Sequence, residues 1–252
     1  MARSKNIYYI HFDLIDSTNT WAKNNAEALD ANHLTCITAQ EQSAGRGRFS
    51  KKWLSPRGLN IYASLFFCIS EYRPTICNLG QILSLSCAKV LASKGFTLKI
   101  KWPNDLLLDG KKVAGILTET VALEDRIGII LGIGINVNMT KELLSTLDQP
   151  ATSLAQLSGH TWTLEQILEP LLQQFLQDLS LWEEQGFAPF YKSYEKLLAF
   201  KGQQITCQNG AKKTSGICKL IDENGNLHLK LSTGKTEIIS SGELIAKNRL
   251  FA

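Results

Sequence analysis

The spacing of apolar and polar positions predicts strands and helices in alternation over most of the chain. Residues that are β-branched, aromatic or otherwise apolar cluster in five strand candidates, at 7–12, 34–41, 60–69, 113–123 and 126–139. Apolar residues recur every three or four positions in four helix candidates, at 19–29, 79–91, 164–182 and 188–199. We therefore expect an α/β (α+β) core, in which helices cover a mixed sheet.

The pattern changes near residue 200. From Gly202 onward, short strand candidates are separated by the turn dipeptides Asn209-Gly210, Asn224-Gly225 and Thr233-Gly234. Earlier in the chain, Asp109-Gly110 predicts a tight hairpin of the same kind. We predict two domains, a core at residues 1–200 and a small all-β domain at residues 201–252.

Composition indicates a globular protein of the cytoplasm. The chain has 252 residues, 44% of them hydrophobic and 20% charged. No uninterrupted apolar run approaches the roughly 20 residues that span a bilayer, and the N-terminus lacks a secretory signal, so we expect no membrane association. The six cysteines form no C-x-x-C pair, which favours reduced, buried thiols over disulfides or metal ligands.

The net charge of +4 is concentrated in one segment. Between Gly45 and Arg57 there are five basic residues and no acidic one, and without these five the chain has 22 basic and 23 acidic residues. A local excess of positive charge in a glycine-containing loop suits a small anion better than a long polyanion, which needs a wider basic face. The sequence therefore favours a phosphate or carboxylate ligand over DNA.

Three segments have the composition of a binding site. GRGRFSKKW at 45–53 can hold an anion with backbone, guanidinium and ammonium groups, although it is neither a Walker A loop nor a GxGxxG motif, and a solvated basic loop is the alternative. KWPNDLLLDGKKVAGIL at 101–117 places Lys112 on a strand behind a turn, where it is either a phosphate clamp or an ordinary solvated lysine. GIGINVN at 132–138 ends an apolar strand with glycines and two asparagines. The alternative interpretation is a tightly packed strand in which glycine admits a neighbouring element.

Together with DSTNTWA at 16–22 and SGELIAK at 241–247, these segments resemble the biotin protein ligases over essentially the whole chain. The resemblance implies a core of the class II synthetase-like biotin/lipoate ligase type with a C-terminal SH3-like β-barrel. It implies that biotin and ATP, with Mg²⁺ on the nucleotide, give biotinyl-5′-AMP. A lysine of a biotin carboxyl carrier protein domain, in acetyl-CoA carboxylase or a related carboxylase, then displaces AMP. A homodimer is left open.

The resemblance also implies roles for individual residues. The catalytic set is Arg48, Lys112 and Asp105, of which Asp105 is our hypothesis for orienting the incoming amine. The biotin-binding set is Ser17, Thr18, Asn19, Gln42, Arg46, Gly47, Arg48, Lys112 and Gly115. The nucleotide-binding set is Arg48, Trp53, Lys112 and Asn136, with Trp53 stacked on adenine; no metal site is expected in the protein. The apolar wall for biotin is expected from the strands that carry Gly115, Gly132 and Gly134. Ser17 also fits a helix cap.

The sequence departs from the family in two respects. Many relatives carry Gly-Arg where this chain has Ser50-Lys51 and arginine where it has Lys247, so the charge is kept but the bidentate guanidinium is lost. Regulatory members of the family have an N-terminal DNA-binding domain. The resemblance does not include that domain, so we expect a short ligase without repressor activity. A lipoate ligase, a nucleic-acid-binding module and a non-catalytic biotin-binding protein are the competing interpretations.

Overall fold

The computed structural model describes residues 6–70 and 72–245 and places seven strands in its first sheet. They are β1 Ile7–Ile15, β2 Leu34–Gln42, β3 Ile61–Ile69, β4 Leu98–Lys101, β5 Asp105–Leu108, β6 Lys111–Ala122 and β7 Ile127–Ile135. Their spatial order is β1-β2-β3-β7-β6-β5-β4. β1 and β2 are parallel and the other neighbours are antiparallel. The predicted mixed sheet is confirmed.

Helices cover both faces of this sheet. They are α1 Thr18–Asn24, α2 Leu79–Ser93, α3 Lys141–Ser145, α4 Leu154–Ser158, α5 Glu165–Gln185 and α6 Tyr191–Leu197. The long helices α2 and α5 pack on each other and share the main core with one face of the sheet. Helix α1 packs on the other face, where Ala22 meets Phe66 of β3 and Ile130 of β7 in a smaller cluster. Every residue of β3 is buried, because the central strand has a layer on each side.

Two details of the helices differ from the sequence-based prediction. The helix expected at 19–29 ends at Asn24, and a short 3₁₀ turn, Ala26–Ala28, follows it. Helices α3 and α4 were not predicted, because five residues are too few to show a helical period. Side-chain caps mark their starts: Thr140 accepts from the Leu143 amide and Ser153 from the Gln156 amide.

The second sheet is antiparallel throughout. It consists of β8 Gln204–Asn209, β9 Lys212–Ile221, β10 Leu227–Lys230, β11 Thr236–Ile239 and β12 Glu243–Ile245, in the order β11-β10-β9-β8-β12. The turns predicted at Gly210, Gly225 and Gly234 have positive φ angles there, as does the hairpin at Asp109-Gly110 between β5 and β6. The all-β character predicted after residue 200 is confirmed, whereas the boundary at 200 stays a prediction.

The second sheet packs against the first through a polar contact and a shared core. Its inward residues belong to the same apolar cluster as α2 and α5. At the turn before β10, the Gly225 carbonyl accepts hydrogen bonds from Gln81 Nε2 at 2.9 Å and from Trp102 Nε1 at 3.0 Å. Asn78 Nδ2 donates to the neighbouring Asn224 carbonyl at 2.9 Å. The turn is thereby held against helix α2 and against the start of the KWPND segment.

One helical stretch, Pro74–Ser93, is long and apolar enough to cross a membrane by those two criteria alone. In the structure it is 78% buried, and it packs on β4, β6 and α5 as a core helix. None of the six cysteines forms a disulfide; five are buried as expected, but Cys77 at the start of this stretch is exposed. Burial raises the pKa of Cys36 and of Cys87 to about 12, which keeps both thiols protonated and unreactive.

Candidate active site

The basic loop, residues 45–53, closes over a cavity at the end of the first sheet. The cavity lies between the N-terminus of α1, the strands β6 and β7 and the turn before β5. It is lined by Ser17, Thr18, Asn19, Gln42, Arg46, Gly47, Trp53, Tyr62, Ala63, Asn104, Asp105, Lys112, Gly115, Ile116, Leu117, Gly132, Ile133 and Gly134. Ten of the twelve predicted site residues are in this lining; Arg48 and Asn136 are not.

Ser17 caps helix α1 and lines the cavity at the same time. Its Oγ accepts from the Thr20 backbone amide at 3.4 Å, and its own amide donates to Asp16 Oδ1 at 2.6 Å. Only 2% of the residue is exposed. Its two sequence-based interpretations, helix cap and site residue, are therefore compatible in position.

An uncharged chain of hydrogen bonds forms the floor of the cavity. The Thr18 amide donates to Gln42 Oε1 at 2.9 Å, and Gln42 Nε2 donates to Ser55 Oγ at 2.9 Å. Ser64 Oγ lies 2.7 Å from Thr18 Oγ1 and 2.5 Å from Asn19 Oδ1. Such a floor offers both donors and acceptors to a neutral polar ligand.

The basic loop has a folded backbone of its own. The Gly47 amide donates to the Lys51 carbonyl at 2.7 Å, and the Trp53 amide donates to the Gly45 carbonyl at 2.9 Å. A Cβ atom on Gly45 would lie 2.4 Å from the Trp53 carbonyl oxygen, so this position admits only glycine. Ser50, one of the positions at which the sequence is expected to depart from the family, has a φ of +58°, a left-handed conformation that is strained for serine.

The two arginines of the loop point to different partners. Arg46 donates to Glu119 Oε1 on β6 at 3.0 Å and lines the cavity. Arg48 donates to Asn104 Oδ1 at 2.9 Å and to the carbonyl of Gly242, the residue before β12, at 3.1 Å. Burial lowers the pKa of Arg48, while the charges of nearby carboxylates oppose that shift; a guanidinium still keeps its charge near neutral pH.

Lys112 and Asp105 form an ion pair inside the site. Lys112 Nζ lies 2.7 Å from Asp105 Oδ1, and both side chains are largely buried, at 16% and 13% exposure. Asp105 pairs with Gly115 across β5 and β6, and the bulge between these strands moves the register by one residue so that Lys112 stands opposite Leu107. The lysine is therefore held near the loop rather than solvated, which favours the interpretation as an anion clamp.

The Trp53 indole lies directly against glycine positions of the sheet. A Cβ atom on Gly134 would be 2.3 Å from the indole, and one on Gly115 would be 3.2 Å from it. Lys112 Nζ is 5.3 Å from the centre of the Trp53 ring, within cation–π range. The cavity that remains measures only about 50 Å³. A ligand larger than a few atoms therefore requires the indole and the loop to move.

Asn136 and Gly132 occupy positions other than those that the sequence suggested. Asn136 is buried beside the cavity, and its Nδ2 donates to the Thr152 carbonyl at 3.1 Å, so its role as a nucleotide contact stays a prediction. Lys247 lies outside the described residues. Gly132 faces the Asn19 amide rather than an apolar wall, because a Cβ atom there would be 2.2 Å from Asn19 Oδ1.

Comparison with known proteins identifies the family. Residues 11–136 match the biotin/lipoate A/B protein ligase family, and residues 201–245 match the biotin protein ligase C-terminal domain. The bifunctional ligase/repressor BirA of Escherichia coli is 34% identical over 86% of this chain and 67% of its own length. The chain belongs to the biotin protein ligase family. The resemblance stated from the motifs is thereby confirmed, and the protein is an enzyme.

Other biotin protein ligases match along nearly their whole length. The biotin–[acetyl-CoA-carboxylase] ligase of Paracoccus denitrificans is 30% identical over 91% of this chain and 96% of its own. The biotin protein ligase of Aquifex aeolicus, solved in complex with biotin and ATP, superposes with a TM-score of 0.79 at 28% identity and covers 94% of this chain and 97% of that one. The predicted fold class, a mixed-sheet core with a C-terminal SH3-like domain, is confirmed.

Several residues of the ligase site escaped the sequence reasoning. Tyr62 lines the cavity, and Ser64 lies beneath its floor, from the middle of β3, where an apolar strand gives no functional signal. Glu119 pairs with Arg46 from β6, and the Gly242 carbonyl holds Arg48. Both contacts join residues more than 70 positions apart, so spacing along the chain could not reveal them.

Proposed function

We propose that this ligase forms biotinyl-5′-AMP from biotin and ATP and then transfers biotin to a lysine of a biotin carboxyl carrier protein domain. The observation that carries the proposal is that one cavity combines an uncharged hydrogen-bonding floor with the cations Arg46 and Lys112. Biotin has a neutral ureido ring, which suits the uncharged floor, and a carboxylate, which suits the cations. The name of the relative from Paracoccus, a biotin–[acetyl-CoA-carboxylase] ligase, supports the attachment of biotin to a carboxylase.

We place the biotin ring on the polar floor. Ser17, Thr18 and Gln42 offer donors and acceptors that match a ureido group, which has two N–H donors and one carbonyl acceptor. The Trp53 indole and the backbone at Gly115 would flank the thioether ring and the valeryl chain. With the loop over the site, the opposite face of the indole would be available to adenine, as the resemblance implies.

In the first step, a biotin carboxylate oxygen attacks the α-phosphorus, an O–P bond forms, and the bond to pyrophosphate breaks. Both reactants are anions, so the barrier falls when fixed positive charge is matched to the transition state. In the structure Lys112 is held by Asp105, and Arg48 is held by Asn104 and the Gly242 carbonyl, so both cations have defined positions when the loop lies over the site. We assign these two residues to the carboxylate and the α-phosphate.

In the second step, the acceptor lysine attacks the acyl carbon of biotinyl-AMP. A C–N bond forms, the C–O bond to AMP breaks, and the amine loses a proton. Asp105 is our candidate to orient that amine and to receive its proton, because its carboxylate lies on the cavity wall beside Lys112. The residue therefore has one role in each step, first as the partner of Lys112 and then as the partner of the amine.

Mg²⁺ is expected to accompany the nucleotide rather than to occupy a site of the protein. Across residues 6–70 and 72–245, no cluster of three or more His, Cys, Asp or Glu side chains could hold a metal ion. We propose that Mg²⁺ binds together with the ATP phosphates, where it would add positive charge.

We propose a cytoplasmic enzyme that does not bind DNA and has its domain boundary near residue 200. Three of the five basic residues at 45–57 already have acidic partners: Arg46 with Glu119, Lys51 with Glu243 and Arg57 with Asp13. Little of that charge is left to contact a polyanion. The carrier domain and a homodimer remain proposals that rest on the family.

The proposal is tested by biotin-dependent release of pyrophosphate from MgATP. We expect Arg48→Ala to reduce the rate about a hundredfold or more, since removing one preorganised charge or donor typically costs that much. Lys52→Ala, an exposed residue of the same loop, is the control and should retain the rate. Lipoate in place of biotin should give no release. Unchanged turnover in Arg48→Ala would overturn the assignment of the loop.

A further inference from the structure

Glu119 joins the floor of the cavity to the basic loop. It lies on β6, and its side chain is only 15% exposed. One carboxylate oxygen, Oε2, accepts from Asn19 Nδ2 at 3.0 Å, and the other, Oε1, accepts from Arg46 Nη2 at 3.0 Å. Arg46 Nη1 also donates to Thr20 Oγ1 at 3.2 Å. Both carboxylate oxygens therefore have a defined donor, and the two donors belong to different parts of the site.

The carboxylate fixes the orientation of the Asn19 amide. An ionised carboxylate only accepts, so the NH₂ group of Asn19 must face Glu119 and its carbonyl oxygen must face Ser64, whose Oγ lies 2.5 Å away. Gly132 leaves room for this arrangement, because any Cβ atom there would lie 2.2 Å from Asn19 Oδ1. The Asn19 amide is thus held between the Glu119 carboxylate, the Ser64 hydroxyl and the backbone at Gly132.

The orientation of Asn19 determines where the protons of the neighbouring hydroxyls lie. Ser64 has one proton, and with Asn19 Oδ1 as its acceptor it cannot also donate to Thr18, 2.7 Å away. The Thr18 proton then goes to Ser64 Oγ or to Gln42 Oε1, at 3.2 Å, both of which are free to accept it. Thr18 Oγ1 is left with unshared electron pairs, which suit an N–H donor of a ligand on the floor.

We infer that Glu119 is a positioning residue of the biotin site: it orients the Asn19, Ser64 and Thr18 chain so that Thr18 accepts from the ureido ring, and it couples that chain to Arg46 of the basic loop. The inference rests on the proposed function, since it takes the ligand on the floor to be the ureido group. Glu119 contacts neither Arg48 nor Lys112 in the structure, so it should act on biotin binding rather than on the chemical step.

The test is Glu119→Gln. Glutamine has the same shape but a single acceptor oxygen, so it cannot accept from Asn19 and Arg46 together, and its NH₂ group must face one of these donors. Glu237→Gln is the matched control, because Glu237 also pairs with a cation, Lys212 at 2.7 Å, but in the second sheet away from the cavity. By calorimetry with biotin alone, we expect a Kd about tenfold weaker in Glu119→Gln and unchanged in Glu237→Gln.

Steady-state kinetics separate positioning from a general loss of structure. For biotin incorporation into an acceptor domain, Glu119→Gln should raise the KM for biotin about tenfold and leave kcat within threefold. A partly unfolded enzyme would lose kcat at constant KM, and that result, or a biotin Kd equal to that of the control, would overturn the inference. Failure of the wild-type chain to bind biotin would instead overturn the proposed function.

Discussion

Lys112 Nζ and Asp105 Oδ1 are 2.7 Å apart, and this ion pair is enclosed by the basic loop and the turn before β5. In the structure Asp105 therefore neutralises the cation that the anionic substrates would use. When a carboxylate and a phosphate approach, Lys112 can turn its remaining N–H donors to them without leaving Asp105, because an ammonium group has three. Asp105 therefore does not have to move before the second step.

Asp105→Asn should therefore affect the two half-reactions differently. Asparagine removes the negative charge beside Lys112, so formation of biotinyl-AMP should be kept within a few-fold or improve. Transfer should slow by about a hundredfold, since the incoming amine loses its proton acceptor. Single-turnover measurements of pyrophosphate release, and of transfer from isolated biotinyl-AMP, give the two rates. Equal slowing of both steps would contradict the role in transfer and would leave Asp105 as the partner of Lys112 alone.

Local patterns in the sequence predicted the strands and the long helices well. The alternation and apolar runs of β3, β6 and β7 gave their positions to within a few residues, and the three- and four-residue spacing of α5 gave its buried face. The motifs predicted ten residues of the cavity lining. These features depend on neighbours along the chain, which a sequence shows directly.

Contacts between distant segments could not be predicted in the same way. The partners that hold Arg48 in the structure, Asn104 and the Gly242 carbonyl, were not predicted, because no motif encodes a contact with a distant backbone group. In the sequence, Glu119 resembles any other polar residue of a half-exposed strand. Its importance follows only from its hydrogen bonds with Asn19 and Arg46. Sequence spacing gives the members of a site, whereas tertiary packing decides which of them meet.

Gly134→Ala should act through Trp53 alone. The added methyl group would lie 2.3 Å from the indole, which is partly buried on a loop and can yield more easily than the sheet. We expect the catalytic efficiency of biotin incorporation to fall at least tenfold, because the aromatic wall is displaced. In a Trp53→Ala background, where the indole is absent, Gly134→Ala should cause little further loss. Multiplicative losses in the double variant would mean that Gly134 matters for another contact.

Gly225→Ala should weaken the attachment of the second sheet to the core, and Gly234→Ala provides a matched control. Both glycines have positive φ angles, +78° and +84°, so each substitution adds about 1–2 kcal/mol of backbone strain. Only at Gly225 does the new methyl group meet other atoms, Asn78 Nδ2 at 2.1 Å and Gln81 Oε1 at 2.3 Å, whereas nothing lies within 4 Å of it at Gly234.

The displaced turn would lose its hydrogen bonds from Asn78, Gln81 and Trp102, each worth about 1 kcal/mol. We therefore expect Gly225→Ala to lower the thermal unfolding midpoint by several degrees more than Gly234→Ala does. Activity should fall with it, because Trp102 precedes the turn that leads to Asn104 and Asp105. In addition, the Gly242 carbonyl that holds Arg48 directly precedes β12 of the same sheet. Equal midpoints for the two variants would show that the turn contributes little to holding the sheets together.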